Sequence, residues 1–234
     1  NNGNYLDRQG RIVSCEHGRR CISRTEKDGK VAVLVDKYDG KRLNSPNDLV
    51  VKSDGTIWFS DPPYGIIGDE EGFRSASQVI GCHVYRFDPE SGDLAIATLD
   101  VERPNGLAFS PDEKLLYVAD MSIVEFPAKG RRQLNVYDVV DGVRLANCRK
   151  LAEIAPGIPD GFRVDRAGRI FCSCEDGVQV VLPGGNIVGK IRVPERVSNC
   201  TFGGRDEDVL YITATTSLYR IRLAARGAQY SHLL

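Results

Sequence analysis

The chain has 234 residues, of which 41% are hydrophobic and 27% charged, the balance of a soluble globular domain able to bury a core. Lys and Arg number 31 against 32 Asp and Glu, so a formal net charge of -1 offers no sequence-independent attraction, and neither nucleic acid nor a membrane is expected as a partner. The longest apolar runs, such as 31–35, fall far short of the roughly 18 residues of a membrane span.

The chain opens Asn1-Asn2-Gly3 without Met, so the natural N-terminus and any targeting information are expected to lie upstream. The seven Cys form neither a C-x-x-C pair nor a regular framework and read as free buried thiols. They favour a reducing compartment such as the cytoplasm, with a periplasmic location open if an upstream signal exists. Cys172 and Cys174 alternate with Phe171 and Ser173, which puts both on one face of a strand.

Five segments share one pattern. They are NGNYLDRQGRIVSCEHG from Asn2, NDLVVKSDGTIWFSDPP from Asn47, NGLAFSPDEKLLYVADM from Asn105, DGFRVDRAGRIFCSCED from Asp160 and NCTFGGRDEDVLYITAT from Asn199. Each opens on Asn or Asp, runs through a short apolar strand, turns on a polar cluster and continues into a second apolar strand. A third strand follows, as in Cys82 to Phe87, Leu134 to Asp138 and Ser217 to Ile221, and a fourth in several units, as in Asp93 to Ala97. Repeated four-stranded units of this length predict the blades of an all-β propeller, a single domain over 1–234 with blades starting near 2, 47, 105, 160 and 199. No segment sustains the i, i+3, i+4, i+7 pattern of crossover helices, which excludes a doubly wound α/β fold.

The first strand of a blade lies innermost, so the opening residues Asn2, Asn47, Asn105, Asp160 and Asn199 are expected around one end of a central channel. The alternative is that each starts its strand by a local Asx hydrogen bond. Amide oxygens and a carboxylate suit a hard cation, with Ca²⁺ favoured over Mg²⁺ and Zn²⁺. A cation with open positions polarises a carbonyl and acidifies bound water, which suits ester or lactone hydrolysis, and Asp160 is the candidate to orient or deprotonate that water. A serine nucleophile is disfavoured, because no G-x-S-x-G occurs.

The runs RLNSPNDLVVKSDGTIWFSDPPYG, RPNGLAFSPDEKLLYVAD, IPDGFRVDRAGRIF and SNCTFGG resemble the gluconolactonase / senescence marker protein 30 (regucalcin) family of six-bladed propellers, in the form of its microbial gluconolactonases. The resemblance extends over essentially the whole chain. It implies hydrolysis of a sugar lactone to an aldonic acid at an axial divalent metal, most readily Ca²⁺, with Zn²⁺, Mn²⁺ or Mg²⁺ as substitutes. It places metal ligands at Asn105 and Asp160, assigns Asn47 to metal or substrate, and matches Asp160 to the residue proposed as base; Asn47 and Asn105 are the substrate contacts. It also implies a first blade with a Glu ligand ahead of Asn2, so that about five of six blades are represented here. Glu16 and Glu26 do not fall on the matching block. The reading from a different class is a non-catalytic propeller that binds calcium or a small ligand, or serves as an interaction scaffold.

Outside the repeats, the polar, Gly-containing segment Ile66 to Gly81 is long enough to cover the channel as a lid. Met121 to Gln133 is a second insertion, whose Arg131 and Arg132 read as solvated surface. His17, His83 and His232 read as hydrogen-bonded structure and Trp58 as core.

Overall fold

The computed structural model describes residues 1–228, and its regular structure is almost entirely antiparallel sheet. The described residues divide into two compact units, Asn1–Pro104 and those from Asn105 to Ala228. His232 lies outside the described residues.

The first unit holds two four-stranded meanders. One is β1 (Asn4–Leu6), β2 (Ile12–Glu16), β3 (Cys21–Thr25) and β4 (Val31–Val35), in that order. A short hairpin, β5 (Lys37–Tyr38) and β6 (Lys41–Arg42), leads to the second: β7 (Leu49–Val51), β8 (Ile57–Asp61), β9 (His83–Phe87) and β10 (Leu94–Thr98). A single helical turn, α1 (Tyr64–Ile67), follows β8.

The second unit continues with β11 (Pro104–Phe109), β12 (Leu115–Asp120), β13 (Gln133–Val140) and β14 (Arg144–Glu153), then β15 (Phe162–Val164), β16 (Ile170–Cys174), β17 (Gly177–Val181) and β18 (Ile187–Arg192). The fifth sheet is β19 (Val197–Gly203), β20 (Val209–Ala214) and β21 (Leu218–Arg222). After β21 the chain runs back along the fourth sheet, where Gly227 bridges to Asp165 and the Ala228 N–H donates to Val164 O at 3.0 Å. All five predicted repeats are therefore sheets, and the fold is all-β. The expected four strands are met in four of them, and the fifth has three among the described residues.

The repeat begins with a turn that its residues dictate. Asp7 accepts the N–H groups of Gln9 and Arg11 through Oδ1, both at 2.9 Å, and Arg11 Nε closes on its Oδ2 at 2.7 Å. Asp165 does the same with Ala167, Arg169 and the Arg169 side chain at 3.0, 2.8 and 2.6 Å. Gly10 and Gly168 sit at φ 72° and 78°, where a Cβ would be strained. D-R-x-G-R is thus one turn used twice, the carboxylate satisfying backbone donors that the strand ladder cannot reach.

Alternation along β16 explains how both faces of a sheet are buried. Ile170, Cys172 and Cys174 pack with Tyr117, Leu134 and Phe162 in one cluster, while Phe171 joins Cys200, Phe202 and Leu210 in the next. The two cysteines share a face as their spacing predicts, and the cysteines are free. The rings of Phe171 and Phe202 meet edge-on at 5.1 Å, and burying each contributes about 2–3 kcal/mol. Outer strands such as β18 and β21 are largely exposed, whereas β7, β11 and β15 are buried throughout, so the residues that open the inner strands are held on the most rigid part of each sheet.

Candidate active site

Asn105 and Asp160 head adjacent inner strands of the second unit. The residue after each is glycine, and the structure shows why. A Cβ on Gly106 would lie 2.5 Å from the backbone oxygen of Asp160, and one on Gly161 would overlap the side-chain amide of Asn199. In the first unit a Cβ on Gly3 would come within 2.6 Å of Asn47 O, to which the Gly3 N–H donates at 2.7 Å. The small second residue lets neighbouring inner strands close up, which sets the opening side chains side by side. This signal was present in the repeated N-G and D-G dipeptides and was missed by comparing only their first residues.

Within the second unit the three opening side chains differ in what holds them. Asn105 is buried, and its Nδ2 donates to Met121 Sδ at 2.9 Å, an arrangement that turns the amide oxygen away from the sulfur. Asp160 is half-buried and stands immediately before β15. Asn199 bonds locally, its Oδ1 accepting the Cys200 N–H at 2.8 Å, a side-chain to backbone bond of the kind the Asx alternative expects. Ser173 Oγ braces the same corner, donating to Gly161 O at 2.6 Å, with Ser198 O at 3.0 Å.

In the first unit Asn47 is buried, and its backbone makes both ladder bonds, donating to Ser60 O at 2.9 Å and accepting from Gly3. Neither bond uses the side chain. Its neighbour Asp48 is a buried carboxylate that sequence reading did not promote; its Oδ1 accepts the Leu49 N–H at 2.9 Å. Asn2, by contrast, is exposed, and its Nδ2 reaches Nε2 of His17 at 3.1 Å. His17 is buried and holds Glu71 Oε2 through Nδ1 at 3.2 Å, in keeping with a hydrogen-bonded structural role.

The segment after α1 is fastened to the first sheet by that pair and by Arg20 Nη1 to Ser75 Oγ at 2.8 Å, while Ser77 Oγ donates to Asn44 Oδ1 at 2.5 Å. The His17 contact also holds the Glu71 carboxyl below the usual range. Beneath this corner lies Asp61, fully buried, with Oδ2 accepting the Asn44 N–H at 2.8 Å. Burial pushes its pKa up to about 7, against the opposing pull of the Asn44 and Ser45 N–H groups and the Arg20 charge. The insertion after β12 is tied down by its own ion pairs, Arg131 to Asp120 at 3.7 Å and Arg132 to Glu153 at 3.9 Å. Trp58 is core, with Nε1 donating to Thr56 Oγ1 at 3.1 Å.

As a donor set, an amide oxygen and a half-buried carboxylate fit a hard cation and would not suit a thiophilic one. No cluster of three or more His, Cys, Asp or Glu side chains with metal-binding geometry occurs among the described residues, so any cation here rests on amide oxygens as much as on charge.

The model of the SMP-30/Gluconolactonase/LRE-like region matches residues 1–216. The chain belongs to that family. It is 32% identical to a gluconolactonase of Zymomonas mobilis, over 97% of this chain and 64% of that protein, and 29% identical to a lactonohydrolase of Aspergillus oryzae, over 86% and 49%. Among solved structures, a gluconolactonase of Xanthomonas campestris superimposes with a TM-score of 0.87 at 42% identity, over 95% of this chain and 71% of that one. The chain thus spans about half to two thirds of the length of these curated relatives. The resemblance read from the N-D, N-G and D-G blocks is confirmed at the level of the family.

Proposed function

We propose that the protein is a lactonase that hydrolyses a sugar lactone to the corresponding aldonic acid. The observation that supports this reading is the close approach of the strands headed by Asn105 and Asp160, where a Cβ on Gly106 would lie 2.5 Å from the backbone oxygen of Asp160, in a family with relatives named gluconolactonase and lactonohydrolase. Sugar lactones are small and uncharged at the reacting centre, so positioning by amides matches them better than a charged cleft would.

Asn105 and Asp160 would hold a divalent cation, calcium first, with Zn²⁺, Mn²⁺ or Mg²⁺ as substitutes. When bound, such an ion supplies Lewis-acid polarisation of the lactone carbonyl and acidifies a water. Asp160 accepts the proton of the attacking water as its oxygen joins the acyl carbon. The ring C–O bond then breaks, and the leaving alkoxide takes a proton back, giving a hydroxy acid that ionises in water. Asn105, its amide held by Met121, orients the lactone oxygens for attack.

Proton release from glucono-δ-lactone by the full-length protein, with chelator and then with Ca²⁺ restored, tests the proposal. Activity that falls with chelator, returns with Ca²⁺ and drops at least about a hundredfold in Asp160→Ala supports it. Failure of the metal-loaded protein to open any of several sugar lactones overturns it.

A further inference from the structure

Within the first unit, the far ends of β1 and β7 from Asn2 and Asn47 border a cavity of about 260 Å³. A water molecule in the liquid takes about 30 Å³, so a small molecule fits. Four arginines line it: Arg8, Arg11, Arg24 and Arg86. Four acids line it too, so the formal charges balance, and the question is which groups still have hydrogen bonds to give.

Three of the four acids already accept hydrogen bonds. Asp7 accepts the two turn N–H groups and the Arg11 guanidinium described above. Asp54 accepts from Lys52 Nζ at 2.8 Å and from the Thr56 N–H and Oγ1 at 2.9 and 2.7 Å. Asp88 caps the next turn through the Glu90 N–H at 2.9 Å, and Glu90 is exposed to water. Arg11 and Arg24 are neutralised by Glu26, at 2.9 and 2.7 Å.

Two guanidinium groups are not committed. Arg86 is mostly buried, its Nε has no hydrogen-bond partner, and its closest acid, Asp88, stands 3.9 Å away. Arg8 is exposed on the β1–β2 turn and lies across Gly55 of the β7–β8 turn, where its Cδ is 3.6 Å from the place a Cβ would take. The cavity therefore offers guanidinium donors without short hydrogen bonds, with the Glu90 carboxylate at its water-facing rim. An oxyanion between the two guanidinium groups gains charge-assisted hydrogen bonds from their outer nitrogens.

We propose that this cavity is a second binding site, for a small molecule bearing an oxyanion, phosphate or carboxylate, held between Arg86 and Arg8. It lies at the opposite end of the strands from the opening Asn residues, so its occupant is not the lactone being hydrolysed. Glycine at position 55 keeps the entrance open beneath Arg8.

Calorimetric titration of the full-length protein with inorganic phosphate, and separately with succinate, tests this and distinguishes the two sources. Saturable binding of either anion, weakened at least about tenfold in both Arg86→Gln and Arg8→Gln and unchanged in Asp160→Ala, supports the site. Arg8 is on the surface, so its variant reports even if Arg86→Gln lowers the melting temperature. No saturable binding of either anion, or binding that survives both arginine substitutions, overturns the proposal.

Discussion

Gly161 stands so close to Asn199 that a single methyl group on its Cα would overlap the Asn199 amide. The contact joins the fourth and fifth sheets at the corner where Asp160 is held, and the Gly161 N–H adds a bond to Ser198 O at 2.9 Å. Gly161→Ala should therefore destabilise by about 1–3 kcal/mol through overpacking. Gly184, which has open space around its Cα, should tolerate alanine within about 0.5 kcal/mol. Urea unfolding of the two variants checks the difference, and equal midpoints would contradict it.

Asp61 should make stability fall as pH rises. Its folded value, about 7, lies above the ordinary 3.8 because burial disfavours the carboxylate, so the native state keeps the proton that the unfolded chain has lost. Its contribution is whole below about pH 4 and is lost as pH rises through 7. At about 1.4 kcal/mol per pH unit the loss is on the order of 4 kcal/mol. Asp61→Asn preserves an acceptor for Asn44 and cannot ionise, so its stability curve relative to the parent should converge at low pH and diverge in its favour toward pH 8.

The opening residues should separate by function when truncated. Asn199→Ala removes an amide that already serves Cys200, so lactone turnover should stay within about threefold while stability drops by about 1 kcal/mol. Asn105→Ala should lower kcat/KM by about a hundredfold with far less effect on the melting temperature. A large activity loss in Asn199→Ala with none in Asn105→Ala would reverse the assignment.

Glu71 is a latch with little energy of its own. Its side chain is 61% exposed, so its pair with His17 contributes at most about 1 kcal/mol to global stability. Glu71→Ala should nonetheless free the segment locally, and trypsin cleavage at the exposed Arg74 should accelerate several-fold while the melting temperature hardly moves. Unchanged cleavage would show that Arg20 and Asn44 suffice to hold it.

The repeats were legible because each blade is a local sentence: Asp7 and Asp165 build their turns from residues two and four positions away, and β16 shows its two buried faces by simple alternation. Asn105 and Asp160 stood out by recurring at one place in those sentences. What the recurrence could not say is which opening amides are spent. Asn199 looks like Asn105 in sequence, yet one bonds its own backbone and the other the sulfur of Met121, sixteen residues on.

By itself, then, the sequence determined the five antiparallel sheets and the five opening residues, since periodicity and turn chemistry act over a few residues, and its family resemblance singled out Asn47, Asn105 and Asp160 among them. Only the tertiary structure decided what occupies the corners between sheets. The docking of 66–81 on His17 and Arg20, the raised pKa of Asp61 and the uncommitted Arg86 all arise where segments tens of residues apart exclude water together. Desolvation belongs to such an assembly of groups, and no single stretch of chain specifies it.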